Sequence, residues 1–412
     1  MKLLLLPAYS RPESVSNSYM GKNRTDAFVK EGFWMYSYPP IPTRGVSDEV
    51  RRVYKTEKKH EVLDDGHLVI HRFDMYREGK NPFFRALRYF LCAVKQFNRG
   101  VFAKDARQCD VLFVPSTPPI QGAMAAMVKK CRKDLKFVYN LQDIFPDSLV
   151  GSGLAKKNGA LWKIGRVIEN FTYRNADKII VISEDFKRNI MAKGVPEEKV
   201  VLIYNWVEAD IIKPIEKKEN PLFDELKICR DKFTVVYAGN LGNAQNLDII
   251  LSAAKVLPDI QFILFGSGGL EMEIRSRICA EGFSNVLLFP LQPYERVSEV
   301  YSLGDACIVS CKAGLGGSAM PSKTWNIMSC GRPVVASFDE GELKEILENN
   351  NCGIFTHAGN VGEFVSAIRR LALNPQKCEE MGKNARKFIM NNLTKEVGTK
   401  KYVDVIKSFE KQ

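Results

Sequence analysis

No run of about 20 apolar residues occurs in the 412-residue sequence, so no segment is long enough to span a bilayer as a helix. Its ten cysteines include no CxxC pair, the closest two being Cys307 and Cys311. The four histidines, His60, His67, His71 and His357, do not fall at metal-ligand spacing. Neither set makes a zinc constellation, and the cysteines read as free, buried thiols of a reducing cytoplasm. No Asp-x-Asp pair follows an apolar run, so no catalytic metal is implied. The opening residues 1–7 carry one lysine and a short apolar run, then Tyr, Ser, Arg and Pro, which reads as a first strand rather than a signal peptide.

What the chain has in excess is positive charge, and only in one half. Residues 1–215 hold 36 Lys and Arg against 24 Asp and Glu, whereas residues 216–412 hold 24 of each. The excess is densest in 51–100, with 12 basic and 6 acidic residues. Such a patch suits an anionic surface such as lipid headgroups or nucleic acid; an ordinary basic surface with no partner is the alternative. The length exceeds one ordinary core, so two domains are expected.

The organising stretch is 314–336, GLGGSAMPSKTWNIMSCGRPVVA. It reads as a Gly-rich loop, a helix over 322–330 with Pro321 at its first position, Gly331 ending it in the left-handed conformation, and a strand. Gly314, Gly316 and Gly317 let a backbone approach something closely. Lys323 sits in the first helical turn, facing the positive end of the helix dipole. It either points to solvent or meets an anion such as a phosphate, which a helix N-terminus after a Gly-rich loop accommodates.

The rest alternates strand and helix. Strands are expected at 3–6, 34–38, 68–73, 111–115, 137–140, 179–182 and 200–204, with helices at 83–98, 120–133 and 161–175. A polar loop with Ser14, Ser16 and Ser18 follows the first strand, and a mobile polar tract runs from Pro39 to about His60. In the 83–98 helix, Phe84, Leu87, Leu91 and Val94 recur at helical spacing. Either this face packs on the sheet, or it forms a basic-aromatic surface that lies on a membrane. Residues 213–232 read as a charged linker. Beyond it come strands at 233–238, 261–265, 286–289, 306–309 and 334–337 and helices at 247–256, 361–373, 375–391 and 396–409. Alternation of this kind means parallel sheets covered on both faces, with ligands at the carboxyl ends of strands. The residues there include Thr117, Asp143, Gly239 to Gly242, Gly266 and Gly268.

Six stretches, in order, carry a family resemblance: NLQDIFPDSLVGSGL, ENFTYRNADKIIVIS, VVLIYNW, VVYAGNLGNAQNLDIIL, FGSGG and MPSKTWNIMSCGRPVVAS. The chain resembles the GT-B glycosyltransferases of family 4, in the bacterial surface-polysaccharide branch that includes L-fucosamine transferases. The resemblance implies an α/β chain of two doubly wound, Rossmann-like domains facing a cleft. The acceptor domain would be 1–213 with a returning helix at 394–412, and the nucleotide-sugar domain 214–393. It implies donor contacts from Gly239, Asn240, Leu241, Gly242, Gly266, Gly268, Pro290, Leu291, Ser318, Ser322, Lys323, Asn326, Glu340 and Glu342. Acceptor contacts would come from Ser14, Ser16, Ser18 and Thr117. Two departures stand out. Ser318 and Asn326 replace a pair of glutamates seven apart, and Asn240 and Gln245 replace an Arg and a Lys.

The reaction so implied is a retaining, metal-independent transfer from a UDP-sugar, with no cofactor, in which Lys323 neutralises the departing diphosphate. Asp143 would stabilise the cationic sugar or orient the acceptor hydroxyl; otherwise it caps a helix near Pro146. The expected partners are the nucleotide sugar, a polyprenyl diphosphate-linked saccharide and, through the basic first half, an anionic membrane at its cytoplasmic face. Nucleic acid is not among them. A non-catalytic sugar-nucleotide binder and a UDP-sugar epimerase are the competing expectations.

Overall fold

The computed structural model describes all residues except 14–17, 80, 152–155, 317–319 and 411–412, and only the backbone of residues 18 and 151. Two compact units emerge, Met1–Tyr204 with Thr399–Gln412, and Asn205–Gly398.

In unit 1 the order is β1 (Lys2–Leu5), α1 (Ser18–Lys30), β2 (Trp34–Ser37), α2 (Asp48–Thr56), β3 (His60–Leu63), β4 (Leu68–His71) and α3 (Pro82–Phe102). Then come β5 (Val111–Pro115), α4 (Ile120–Cys131), β6 (Lys136–Leu141), α5 (Asp147–Gly151), α6 (Ala160–Asn175), β7 (Lys178–Val181), α7 (Glu184–Ala192) and β8 (Val200–Leu202). The sheet runs β3-β4-β2-β1-β5-β6-β7-β8, parallel except for the β3 edge hairpin. Strand residues such as Leu112, Val114, Phe137, Ile179 and Val181 fill the core, because a parallel sheet is buried on both faces.

Three expectations change here. The polar tract from Pro39 to about His60, expected to be mobile, holds α2, which Ser47 caps by accepting from Val50 N, and leads into the first strand of the hairpin. The face of α3 that packs is the opposite of the apolar one. Arg88, Cys92, Ala93, Gln96 and Gly100 are buried, while Phe84, Leu87 and Val94 are exposed. The reason is hydrogen bonding across the fold. Arg88 donates to Ala8 O (3.2 Å) and Thr43 Oγ1 (2.5 Å), and Gln96 Nε2 donates to Pro7 O (2.8 Å) and Tyr38 O (3.0 Å). Those carbonyls follow β1 and β2, so the polar face of α3 closes the ends of two strands. The cysteines are free, but Cys131, Cys229 and Cys279 are exposed rather than buried.

In unit 2 the order is α8 (Leu222–Glu225), β9 (Thr234–Asn240), α9 (Asp248–Val256), β10 (Gln261–Ser267), α10 (Glu271–Ala280), β11 (Val286–Phe289), α11 (Val297–Ser302) and β12 (Ala306–Ser310). It continues with α12 (Lys323–Ser329), β13 (Val334–Phe338), α13 (Glu342–Asn349), β14 (Gly353–His357), α14 (Val361–Ala372), α15 (Pro375–Asn392) and the first residues of α16 (Lys395–Lys407), which from Thr399 on belongs to unit 1. The sheet order β11-β10-β9-β12-β13-β14 is that of a dinucleotide-binding fold, with its switch point between β9 and β12. β14 was not expected from its short GIFTH run.

The expected linker is part of this unit. Lys213 N donates to Ser298 Oγ (3.1 Å), Ile215 N to Ser302 Oγ (3.1 Å), and Ile212 O accepts from Ser329 Oγ (2.5 Å). Trp206 is buried against Gly398, where a Cβ would lie 2.3 Å from its ring. The division therefore falls at 204/205 rather than 213/214, and the returning segment begins at Thr399 rather than 394.

Candidate functional site

The residues with the most chemistry gather at the carboxyl ends of the unit 2 strands. β9 and β10 pair in register, Gly239 with Gly266 and Asn240 with Ser267. Leu241 N then donates to Ser267 O (2.9 Å), so the two Gly-rich turns lie one on the other. Gly268 has φ +156°, and a Cβ there would stand 2.5 Å from Leu241 O. Its glycine is required by the neighbouring turn. Gly242 lies beside the Asn240 amide, which reaches Gln245 Oε1 at 3.4 Å. On the other side of the switch point, Ser310 Oγ donates to Gln245 O (2.6 Å) and Lys312 N to Ala244 O (2.8 Å). These bonds tie the 243–245 turn to the end of β12.

Lys323 occupies the middle of this group. α12 begins with Lys323 itself, and Ser322, exposed, is its cap without a side-chain hydrogen bond. Pro321 therefore precedes the cap instead of opening the helix. Gly331 follows Cys330 with φ +64°, as the left-handed terminator. The Lys323 ammonium lies 4.1 Å from the centre of the Tyr237 ring. A Cβ on Gly239 would stand 2.8 Å from its Nζ, and φ +147° at Gly239 is a backbone conformation that favours glycine. No carboxylate or other hydrogen-bond partner meets this ammonium among the described residues. The half-buried position withdraws it from water and lowers its pKa to about 8. Beside it, Thr324 Oγ1 is buried with no partner among the described residues. The Tyr237 hydroxyl is held by Asn240 O at 2.7 Å.

The organising loop closes on protein. Asp339 accepts from Gly314 N (3.0 Å) and Gly316 N (2.7 Å), and a Cβ on Gly316 would meet the Phe338 ring at 2.7 Å. The close approach expected of these glycines is thus to the end of β13. Gly317 and Ser318 lie outside the described residues. Asn326 is half-buried in α12, one turn after Lys323. Pro290 and Leu291 are exposed beyond β11, at the far edge of the sheet. Glu342 is buried in the first turn of α13. Glu340 is exposed and pairs with Lys344 (2.8 Å) and His357 (3.3 Å), whose hydrogen bonds hold its carboxyl below the usual range.

In unit 1, Thr117 is exposed after β5. Next to it Ser116 Oγ accepts from Gln142 N (2.9 Å), joining the ends of β5 and β6. Asp143 follows β6. Its side chain reaches solvent, yet the surrounding protein raises its pKa, against hydrogen bonds from Ser148 and Ile144 N that lower it. Those bonds tie the carboxyl to the loop between β6 and α5. Ser18 opens α1, and Ser14 and Ser16 fall outside the described residues.

Tyr237 and Asp339 were missed by the sequence reading. Tyr237 sits two residues before Gly239 in a strand that reads as core, and nothing local marks its ring as the seat of a cation. Asp339 had a signal, being the first charge after a buried β-branched strand.

Comparison with known proteins agrees with this geometry. A family model described as "Glycosyl transferases group 1" matches residues 219–388, and one described as "Glycosyl transferase 4-like domain" matches 44–206. Among curated proteins, the chain is 27% identical over 66% of its length, and 67% of the other's, to "Putative colanic acid biosynthesis glycosyl transferase WcaI" of Escherichia coli K12. It is 25% identical over 64% of its length, and 65% of the other's, to "Probable glycosyltransferase WbjE" of Pseudomonas aeruginosa. The matches thus span about two thirds of these relatives. Anabaena Alr3699/HepE, solved with UDP, superposes with a TM-score of 0.71 at 17% identity, over 99% of this chain and 100% of that one. Sucrose-phosphate synthase of Thermosynechococcus elongatus gives 0.75 at 15% identity, over 99% of each chain. Identities this low speak to the fold, which is GT-B. With both halves matched in order on that fold, the chain belongs to the family 4 glycosyltransferases.

Proposed function

We propose that the protein transfers a sugar, with retention of anomeric configuration, from a UDP-sugar to a lipid-linked saccharide during synthesis of a bacterial surface polysaccharide such as an O-antigen or capsule. The donor sugar is proposed to be an N-acetylated amino or deoxyamino sugar. The reading rests on one observation: an ammonium group that meets no counter-ion among the described residues, lodged over Tyr237 and against Gly239 at the switch point of the unit 2 sheet. A cation kept from water without a partner is costly, and a diphosphate supplies the missing charge. The UDP and UDP-glucose complexes of HepE, on the same fold, and the polysaccharide role in the name of WcaI support the choice of donor and pathway.

The chemistry follows from charge. Cleavage of the sugar–phosphate bond leaves added negative charge on UDP, and Lys323 is placed to stabilise it in the transition state. No metal or cofactor is assigned a step. The acceptor hydroxyl attacks from the face that the diphosphate leaves, passing its proton to the departing phosphate oxygen. Asp143 is given the task of orienting that hydroxyl or balancing the cationic sugar. The acceptor lipid places the reaction at the cytoplasmic face of the membrane.

Calorimetric titration of the full chain with UDP, GDP, ADP and TDP tests the donor half, and transfer assays with UDP-sugars test the rest. UDP should bind most tightly and support transfer. Absence of binding to any of the four nucleotides defeats the proposal. Binding without transfer would instead favour a non-catalytic sugar-nucleotide protein, the reading that Asn326 in place of a glutamate suggests.

A further inference from the structure

Two histidines that stand apart in the sequence meet across the edge hairpin of unit 1. β3 and β4 run antiparallel with His60 opposite His71. Arg72 N donates to Lys59 O (2.8 Å), so the adjoining pair, His60 with His71, is a non-hydrogen-bonded one, in which facing side chains stand closest. Their Nδ1 atoms are 2.9 Å apart.

The two rings are held differently. His71 is fixed on two sides. Its Nε2 lies 3.2 Å from Asp105 Oδ2, and the Tyr38 ring is stacked on it with centres 5.5 Å apart. A carboxylate only accepts, so the proton of neutral His71 is on Nε2 and its Nδ1 presents a bare lone pair. A carboxylate behind an imidazole is also what orients histidine ligands of metals. His60 is exposed and supplies the proton shared between the two Nδ1 atoms. With that proton on its Nε2 instead, His60 offers a second lone pair beside the first.

Distance selects the ion. Two imidazole nitrogens at about 2.0–2.1 Å from one metal stand about 2.9 Å apart at a right angle and about 3.3–3.4 Å apart at the tetrahedral angle. The observed 2.9 Å fits the right angle of a tetragonal Cu²⁺ or Ni²⁺ site. The surrounding charge admits a cation. Arg72 is paired with Glu61 and Lys59 with Asp74 (3.0 Å), and the Asp105 carboxylate lies behind His71.

We propose that His60 and His71 chelate a divalent transition-metal ion of the Cu²⁺ or Ni²⁺ type through both Nδ1 atoms, with Asp105 orienting His71 and water filling the remaining positions. The ion takes the place of the shared proton, which moves to His60 Nε2; no electron is transferred. Only two protein ligands hold it, so it exchanges readily. Bound, it pins β3 to β4 and stabilises unit 1 in proportion to the free metal. The site is separate from the nucleotide site, and neither reading depends on the other.

The test uses the untagged full chain carrying Cys131→Ser, Cys229→Ser and Cys279→Ser, because exposed thiols bind the same ions. Titration calorimetry should show 1:1 binding, with Cu²⁺ held more tightly than Ni²⁺ or Zn²⁺. The EPR spectrum of the Cu²⁺ form should show splitting from two nitrogens. Asp105→Asn should weaken binding about 10–100-fold, and His60→Gln or His71→Gln by at least as much. His67→Gln and His357→Gln should leave it unchanged. His60 is exposed, so the melting temperature of His60→Gln without metal should match that of the parent chain. Absence of 1:1 Cu²⁺ binding, or binding undiminished in any of the His60, His71 and Asp105 variants, overturns the proposal and leaves a hydrogen bond between two histidines.

Discussion

At the scale of one residue, the argument turns on a lysine that is awkward to fold around. Lys323 gives up water for a ring face and a glycine backbone, and its pKa falls to about 8. Lys323→Met keeps much of the volume and removes the charge. Its melting temperature should be equal to or above wild type, while kcat/KM falls about 10²–10³-fold. A large loss of stability with proportionate loss of activity would mark the lysine as structural. The pH dependence has a definite sign. A folded pKa below the ordinary lysine value means that the free protein sheds this proton above about pH 8. A bound diphosphate favours the charged form, so UDP affinity should decline as pH rises from 7.5 to 9, with proton uptake on binding. Lys323→Arg stays charged across that range and cancels the titration of UDP itself. Titration calorimetry of both proteins reads the difference; parallel profiles would remove Lys323 from the nucleotide's reach.

At the scale of elements, the loop before α12 depends on one carboxylate. Asp339 accepts from Gly314 N and Gly316 N, and charge-assisted bonds of this kind are worth roughly 1.5–3 kcal/mol each when shielded from water. Asp339 is half-exposed, so Asp339→Ala should cost about 1–3 kcal/mol in all and speed proteolytic cleavage between 312 and 316. Unchanged cleavage would show the loop to be held by other contacts. Strand positions were the most legible feature of the sequence: Val111–Pro115 and Val286–Phe289 fall where their apolar runs begin and end. The helix that carries Lys323 and the two Gly-rich turns were legible as well, because glycine spacing and a misplaced cation are local signals. What was hidden depended on distant partners. The buried face of α3 looks polar because Arg88 and Gln96 answer carbonyls 80 and 89 residues away. α2 has no fully buried residue, and its short apolar face, Val50, Val53 and Tyr54 at helical spacing, was passed over in a polar stretch. Its Ser47 cap with Asp48 and Glu49 in the first turn was the available signal. The 213–232 stretch reads as a linker because its charges are conspicuous, whereas the backbone at its start is held by Ser298, Ser302 and Ser329.

At the scale of the whole molecule, the chain ends in the unit where it began. From Thr399 on, α16 belongs to unit 1, with Tyr402 and Ile406 buried. Tyr402 Oη donates to Asn140 Oδ1 at 3.0 Å, at the end of β6, and its ring lies 6.0 Å from that of Phe113 and 5.4 Å from the Arg24 guanidinium. The stability of unit 1 thus depends on residues that follow unit 2 in the sequence, while unit 2 closes on itself through Val207 N to Leu393 O (3.0 Å) and the Trp206–Gly398 contact. Tyr402→Ala should remove about 3–5 kcal/mol, by analogy with other large aromatic truncations in a core. At roughly 2–4 °C per kcal/mol for a unit of this size, one calorimetric transition should drop by about 6–20 °C. A second transition should stay in place and still rise when UDP is added, since ligand at about 100 times its Kd contributes roughly 2.7 kcal/mol to the unit that binds it. If both transitions instead fall together in the variant, unit 2 does not stand on its own contacts, and the assignment of the nucleotide site to a self-contained domain is wrong.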